Sequence, residues 1–216
     1  MLNIKLLIYS FFISLITYIF SQNDYIYCFF FSYNINIDYI TDILLIFFTK
    51  YFIVIILFTD FLNNVKERSI NTIIRSKNYS TYIMNKIINY YKYIMIYYIY
   101  YALFINIYFY NQVNLNYIIQ FLFTSLTNSI ILFLIFTIIE INFKLKDIQI
   151  IYIISIFIII LNSSWLYGNK FLSKLYTLIN NTNYLSFSNY DLILSVICSI
   201  ILTLVVNKTL AKYDLI

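Results

Sequence analysis

The chain has 216 residues, of which 62% are hydrophobic and only 11% charged, with a formal net charge of +5 and a mean hydropathy of +0.83. A soluble domain carries roughly 25% charge, and a soluble fold of this composition would leave large apolar patches in water. The composition therefore excludes an ordinary soluble enzyme or nucleic-acid-binding module and predicts an integral membrane protein. Pro and His are absent and Gly occurs once, at Gly168, so neither a glycine-rich phosphate loop nor a His-ligated metal site can be built.

This length accommodates about six helical spans of roughly 20 residues. The predicted fold class is all-α, a polytopic membrane protein forming one domain over residues 1–216. The first span covers 4–22. It is uncharged after Lys5, lacks the small-residue cleavage pattern of a signal peptide and is followed by further spans, so it reads as a transmembrane helix.

The second span covers 43–61 and contains Lys50. A charge roughly 12–15 Å from either end of a span costs about 3 kcal/mol on insertion scales and usually faces the bundle interior. Two readings of Lys50 follow. It lines a translocation cavity and meets an anionic group such as a peptide carboxylate or lipid phosphate, or it snorkels to the outer headgroups. Asp60 reads as an interfacial residue that caps the span or pairs loosely with Lys66.

The segment 63–92 connects spans two and three. Its stretch KERSINTIIRSKNYSTYIMNK (66–86) sets Lys66, Arg68, Arg75, Lys77 and Lys86 against a single acid, Glu67. Over 67–76, helical spacing places Ile70, Ile73 and Ile74 on one face and Arg68, Asn71, Arg75 and Lys77 around the rest. KNYS at 77–80 breaks that pattern, and Tyr82, Ile83, Lys86 and Ile87 start a second amphipathic run. A short helix, a turn and an in-plane helix at the inner membrane surface are expected, touching anionic lipid.

Residues 93–139 carry no charge and are too many for one helix. NQVNLN at 111–116 divides them into spans of 93–110 and 117–139. A charged loop from Glu140 leads to span five, 148–166. The half-polar outer segment 167–190 is expected to form an interfacial or re-entrant helix, and span six covers 191–207. With the N-terminus inside, the inner regions hold Lys5, six basic residues within 66–92, Lys144, Lys146, Lys208 and Lys212, whereas the outer regions hold Lys170 and Lys174. Both termini are thereby predicted to be cytoplasmic. Cys28 and Cys198 read as ordinary apolar residues, and 25 tyrosines dilute any interfacial aromatic signal.

An intramembrane enzyme is not expected. Asp42 and Asp60 lie at opposite ends of one span, no Ser is marked out by a Gly-rich turn, and His is lacking. A secondary transporter would carry ionisable pairs near the midplane and related halves, and only Lys50 is deep.

The arrangement resembles the membrane subunit of type-2 ABC transporters, the ABC-2 permease family. That resemblance rests on Glu67-Arg68, Asn71-Thr72, Arg75 and Lys86 at the foot of span three, together with the six-span plan and the semi-polar segment before the last span. The family's Gly stands as Asn71 here and its mid-loop Pro is missing, which places the chain nearest the small permeases of bacteriocin self-immunity and peptide export in low-GC Gram-positive bacteria. The resemblance implies that Glu67, Arg68, Thr72, Arg75, Lys77 and Lys86 dock a cytoplasmic ABC ATPase. ATP and Mg2+ would be bound by that partner and by no site in this chain, and a second permease copy or a related permease would complete the pore. The alternative is a stand-alone immunity or peptide- or lipid-binding membrane protein without an ATPase.

Overall fold

A computed structural model describes residues 2–20, 47–73, 79–109, 115–143 and 189–211, and every one of these but Phe109 is helical. Helix α1 spans Leu2–Phe20. A π-helical turn, Phe47–Tyr51, leads directly into α2, Phe52–Ile73, and α3, α4 and α5 span Tyr79–Tyr108, Leu115–Phe143 and Asn189–Ala211. The described segments contain neither Pro nor Gly, so nothing in the sequence interrupts propagation within them.

Two stretches, Phe47–Val65 and Phe121–Ile141, are long and apolar enough to cross a membrane, and Asn3–Ile19 and Val196–Leu210 are shorter apolar helices. At 30 residues α3 is about 45 Å long by helical rise. Its ten tyrosines leave it less apolar than α1 and α4.

Side-chain pairings fix the relative directions of the first four helices. Tyr9 of α1 meets Tyr97 of α3, and Tyr18 meets Tyr108, so these two run parallel. Thr49 and Lys50 pair with Tyr97 and Tyr98, and Asp60 with Tyr90, so the π turn and α2 run antiparallel to α3. Helix α4 is antiparallel as well, since Phe133 stacks on Tyr90 and Phe121 packs on Tyr101. Successive helices thus alternate in direction. The C-terminal end of α2, the N-terminal ends of α1 and α3 and the C-terminal end of α4 share one end of the bundle. Thr203 of α5 lies beside Tyr91 of α3.

Helix α3 is the central post. Its stripe of Ile83, Ile87, Tyr90, Ile94, Tyr97, Tyr98, Tyr101 and Ile105 is buried and recurs at helical three- and four-residue spacing. Against it α1 presents Leu6, Ser10, Ile13, Ser14 and Thr17. The hydroxyls of Ser10, Ser14 and Thr17 donate to backbone carbonyls one turn back, at 2.8 Å, which leaves a small, satisfied surface for close helix approach. An aromatic cluster of Phe58, Phe61, Tyr90 and Phe133 joins α2, α3 and α4.

The expected spans one to four and six each coincide with a helix, although α2 and α3 run well beyond the predicted limits. Span five, residues 167–188 of the outer segment, and residues 74–78 lie outside the described residues. The connecting segment differs from expectation. Residues 67–73 continue α2 for its last two turns rather than forming a separate helix, and α3 already begins at Tyr79. Asn63, Asn64 and Val65 carry no helix-breaking chemistry, so the helix set up in span two propagates into the basic stretch.

Candidate functional site

The π turn is the structural irregularity that builds the site. Its i→i+5 pairing cannot stay in register with the i→i+4 ladder of α2, and such turns recur at functional positions. Three consecutive backbone carbonyls in this region receive side-chain hydroxyls from neighbouring helices. Tyr9 of α1 donates to Phe48 O at 2.9 Å, Tyr97 of α3 to Thr49 O at 2.9 Å, and Tyr98 of α3 to Lys50 O at 3.1 Å. Each bond ties a neighbouring helix to the backbone of the turn.

Lys50 sits inside this collar with only 7% of its surface exposed. It lines a cavity of about 10 Å³ together with Tyr51, Tyr98, Ser125, Asn128, Ser129 and Leu132. The far wall comes from the polar run TSLTNS (124–129) of α4, in which Thr124, Ser125, Thr127, Asn128 and Ser129 are all buried. Thr124 and Thr127 are turned back onto their own helix. Ser129 instead reaches across to Tyr98 at 2.6 Å. Lys50 is therefore buried beside the polar wall of α4, the placement usual for a charge that faces the bundle interior.

Farther along α2, Asp60 forms a second polar group. Tyr90 OH donates to Asp60 Oδ2 at 2.6 Å, and Asn64 Nδ2 lies 3.0 Å from the same oxygen and 2.9 Å from Tyr90 OH. Asp60 is thus partnered from α3 as well as from its own helix, and the side chain of Lys66, which the sequence had suggested as a loose partner, lies outside what is described. Cys198 is a free thiol, while Cys28 lies outside the described residues. Among the described residues, no group of three His, Cys, Asp or Glu side chains could hold a metal ion.

No family model matches the chain, and no curated protein or solved structure shows a significant match.

The described residues among those expected to dock a partner fall at the end of the bundle away from the Lys50 cavity. Glu67, Arg68 and Thr72 occupy the final turns of α2, Arg75 and Lys77 lie outside the described residues, and Lys86 is in the third turn of α3. The Lys86 ammonium is 5.7 Å from the centre of the Tyr82 ring, a cation–π contact one turn apart. Sequence reasoning found Lys50 but missed Tyr9, Tyr97, Tyr98, Ser125, Asn128 and Ser129. The run TSLTNS was a usable signal, since five polar residues in six are costly in an otherwise apolar span unless they face a common interior.

Proposed function

We propose that the chain is the membrane-spanning permease subunit of an ABC-type exporter, a multi-pass protein of a bacterial plasma membrane that moves a peptide, antibiotic or lipid-like substrate. ATP and Mg2+ are bound and consumed in a separate cytoplasmic ATPase, and a second permease copy or a related one completes the pore.

One observation carries this reading. Beyond the apolar stretch Phe47–Val65, α2 continues through Ile73, carrying Lys66 and Arg68, and α3 begins its basic, Tyr-rich part, with Lys86, at Tyr79. Helices of this length act as levers. A force applied at the tip is transmitted along α2 to the π turn and along α3 to the tyrosines that brace it. A loop that served only to fix orientation would need the charges but not the helical extension.

The test is co-purification. The C-terminally tagged chain, extracted gently from its native membrane, is expected to bring an ATPase subunit with it, and Arg75→Glu is expected to lose that subunit while inserting normally. Recovery of the chain alone across several detergents would instead favour a stand-alone immunity or lipid-binding protein.

A further inference from the structure

The apolar side chains that the fold leaves uncovered form a belt of definite height. On α3 the outward stripe of Met95, Ile99, Leu103 and Ile107 is from 38% to 66% exposed. Nearer the start of α3 the exposed residues are Thr81, Asn85, Asn89 and Lys92, with Ile88 the one apolar member among those described. On α1 the exposed apolar residues run from Leu7 to Ile19, and beneath them lie the exposed Lys5 and a single apolar residue, Ile4. Tyr9 meets Tyr97 and Tyr18 meets Tyr108. The two stripes therefore begin level, at Leu7 and Met95, and end level, at Ile19 and Ile107. Each rises about 18 Å. Past them the sequence turns polar, at Ser21-Gln22-Asn23 and at Asn111-Gln112, and Asn106 is already exposed beside Ile107. A third stripe, from Ile193 to Val205 of α5, is followed by the exposed Asn207 and Lys208 and also rises about 18 Å.

The hydrocarbon core of a typical bilayer is about 30 Å thick. Tilt cannot supply the missing height, because it shortens the projection of a helix along the membrane normal. A short apolar stretch is matched by thinning of the bilayer or by snorkelling of flanking side chains. Lys5 and Lys92 can snorkel at the basic end, but the opposite ends of α1 and α3 carry no Lys or Arg. We propose that the uncovered faces of α1, α3 and α5 form a lipid-contact surface fitted to a hydrocarbon layer markedly thinner than the usual one, which selects phospholipids with short acyl chains as boundary lipids. The inference rests on the membrane-spanning part of the proposed function and is independent of an ATPase partner.

Lipid competition on the full chain tests it. Trp165→Phe removes the one native tryptophan, and Leu103→Trp sets a reporter in the α3 stripe. Ile99→Trp serves if the first variant does not reconstitute. In vesicles of dioleoyl phosphatidylcholine brominated across its double bonds the reporter is expected to be quenched, and unbrominated lipids relieve the quenching in proportion to their affinity for the surface. Dimyristoleoyl phosphatidylcholine is expected to compete about twofold or more better than dioleoyl phosphatidylcholine, and dierucoyl phosphatidylcholine worse. Equal competition, or a preference for the longer chains, would overturn the proposal. An unquenched reporter in a chain that stays with the vesicles through alkaline carbonate would overturn it as well, by showing that protein and not lipid covers α3. A chain that carbonate strips from the vesicles would refute the membrane-spanning reading itself, and this proposal with it.

Discussion

The phenol of Tyr90 donates a 2.6 Å hydrogen bond to Asp60 Oδ2, clamping α3 to α2 just where the apolar stretch gives way to the basic hairpin. Asn64, one turn beyond Asp60, donates to the same carboxylate at 3.0 Å and reaches the Tyr90 oxygen at 2.9 Å, so the three groups close a ring. A hydrogen bond to a charged acceptor contributes about 1.5–3 kcal/mol. Tyr90→Phe is therefore expected to lower stability in detergent by about 2 kcal/mol, read from a denaturation curve. In an Asp60→Asn background the same change should cost clearly less, because the charged acceptor is already gone. Equal costs in both backgrounds would show that Tyr90 contributes through packing on Phe61 and Phe133 alone.

The tyrosine collar around the π turn makes a second prediction. Tyr97 offers one hydroxyl bond to the turn, to Thr49 O, whereas Tyr98 serves both Lys50 O and Ser129. Loss of one neutral bond costs about 1 kcal/mol, with more where a buried partner is left unsatisfied. Tyr98→Phe is thus expected to destabilise by about 2–3 kcal/mol and Tyr97→Phe by about 1 kcal/mol, in thermal or denaturant melts. The reverse order would mean that the turn is held mainly by the packing of Tyr97 against Tyr9.

The helices themselves were legible in the sequence because uncharged runs of span length admit few alternatives. The uneven placement of Lys and Arg predicts which end of the bundle is cytoplasmic, and the labelling experiment below tests it. Span two was read to end at Phe61, and the helix that contains it runs on to Ile73. Hydropathy falls there, but hydropathy reports where the membrane ends and not where the helix ends, and nothing between Asn63 and Ile73 stops helix propagation. The tyrosine collar was illegible for a different reason. Among 25 tyrosines, no pattern singles out Tyr9, which lies 39 residues from the carbonyl it serves. The π turn is equally hidden, since FFTKY has no breaker and its register is set by what α1 and α3 donate. Lys50 could be found by its charge, but its surroundings came from TSLTNS, a stretch 74 or more residues away that apolar averages over α4 conceal.

The Lys50 site separates stability from function. Replacing a buried charge by an apolar side chain of similar volume is often neutral or stabilising, because desolvation of the ion is no longer incurred. Lys50→Met is expected to leave the denaturation midpoint unchanged or raise it by up to about 2 kcal/mol equivalent, even as it removes the charge that faces α4. If transport or immunity is lost in a variant that melts no earlier than the parent, Lys50 acts through its charge. Loss of stability comparable to a core cavity, about 3 kcal/mol or more, would mark the ammonium as a structural tie instead.

The alternating helix directions place the α2–α3 and α3–α4 connections at opposite ends of α3, and the basic residues gather at the first of them. In a background of Cys28→Ser and Cys198→Ser, single cysteines introduced by Ser76→Cys and Gln112→Cys report on which side each connection lies. A membrane-impermeant maleimide is expected to label position 112 on intact cells and position 76 only on inverted vesicles. Reversing the charge of the hairpin with Arg68→Glu and Arg75→Glu together removes two of the cations that hold it inside, so the mixed population that labels at 76 from the outside should rise. Labelling of both positions from the same side in the parent chain would mean that α3 does not cross. In that case the hairpin could not act as a lever worked from the cytoplasm, because its base would not be seated in the membrane.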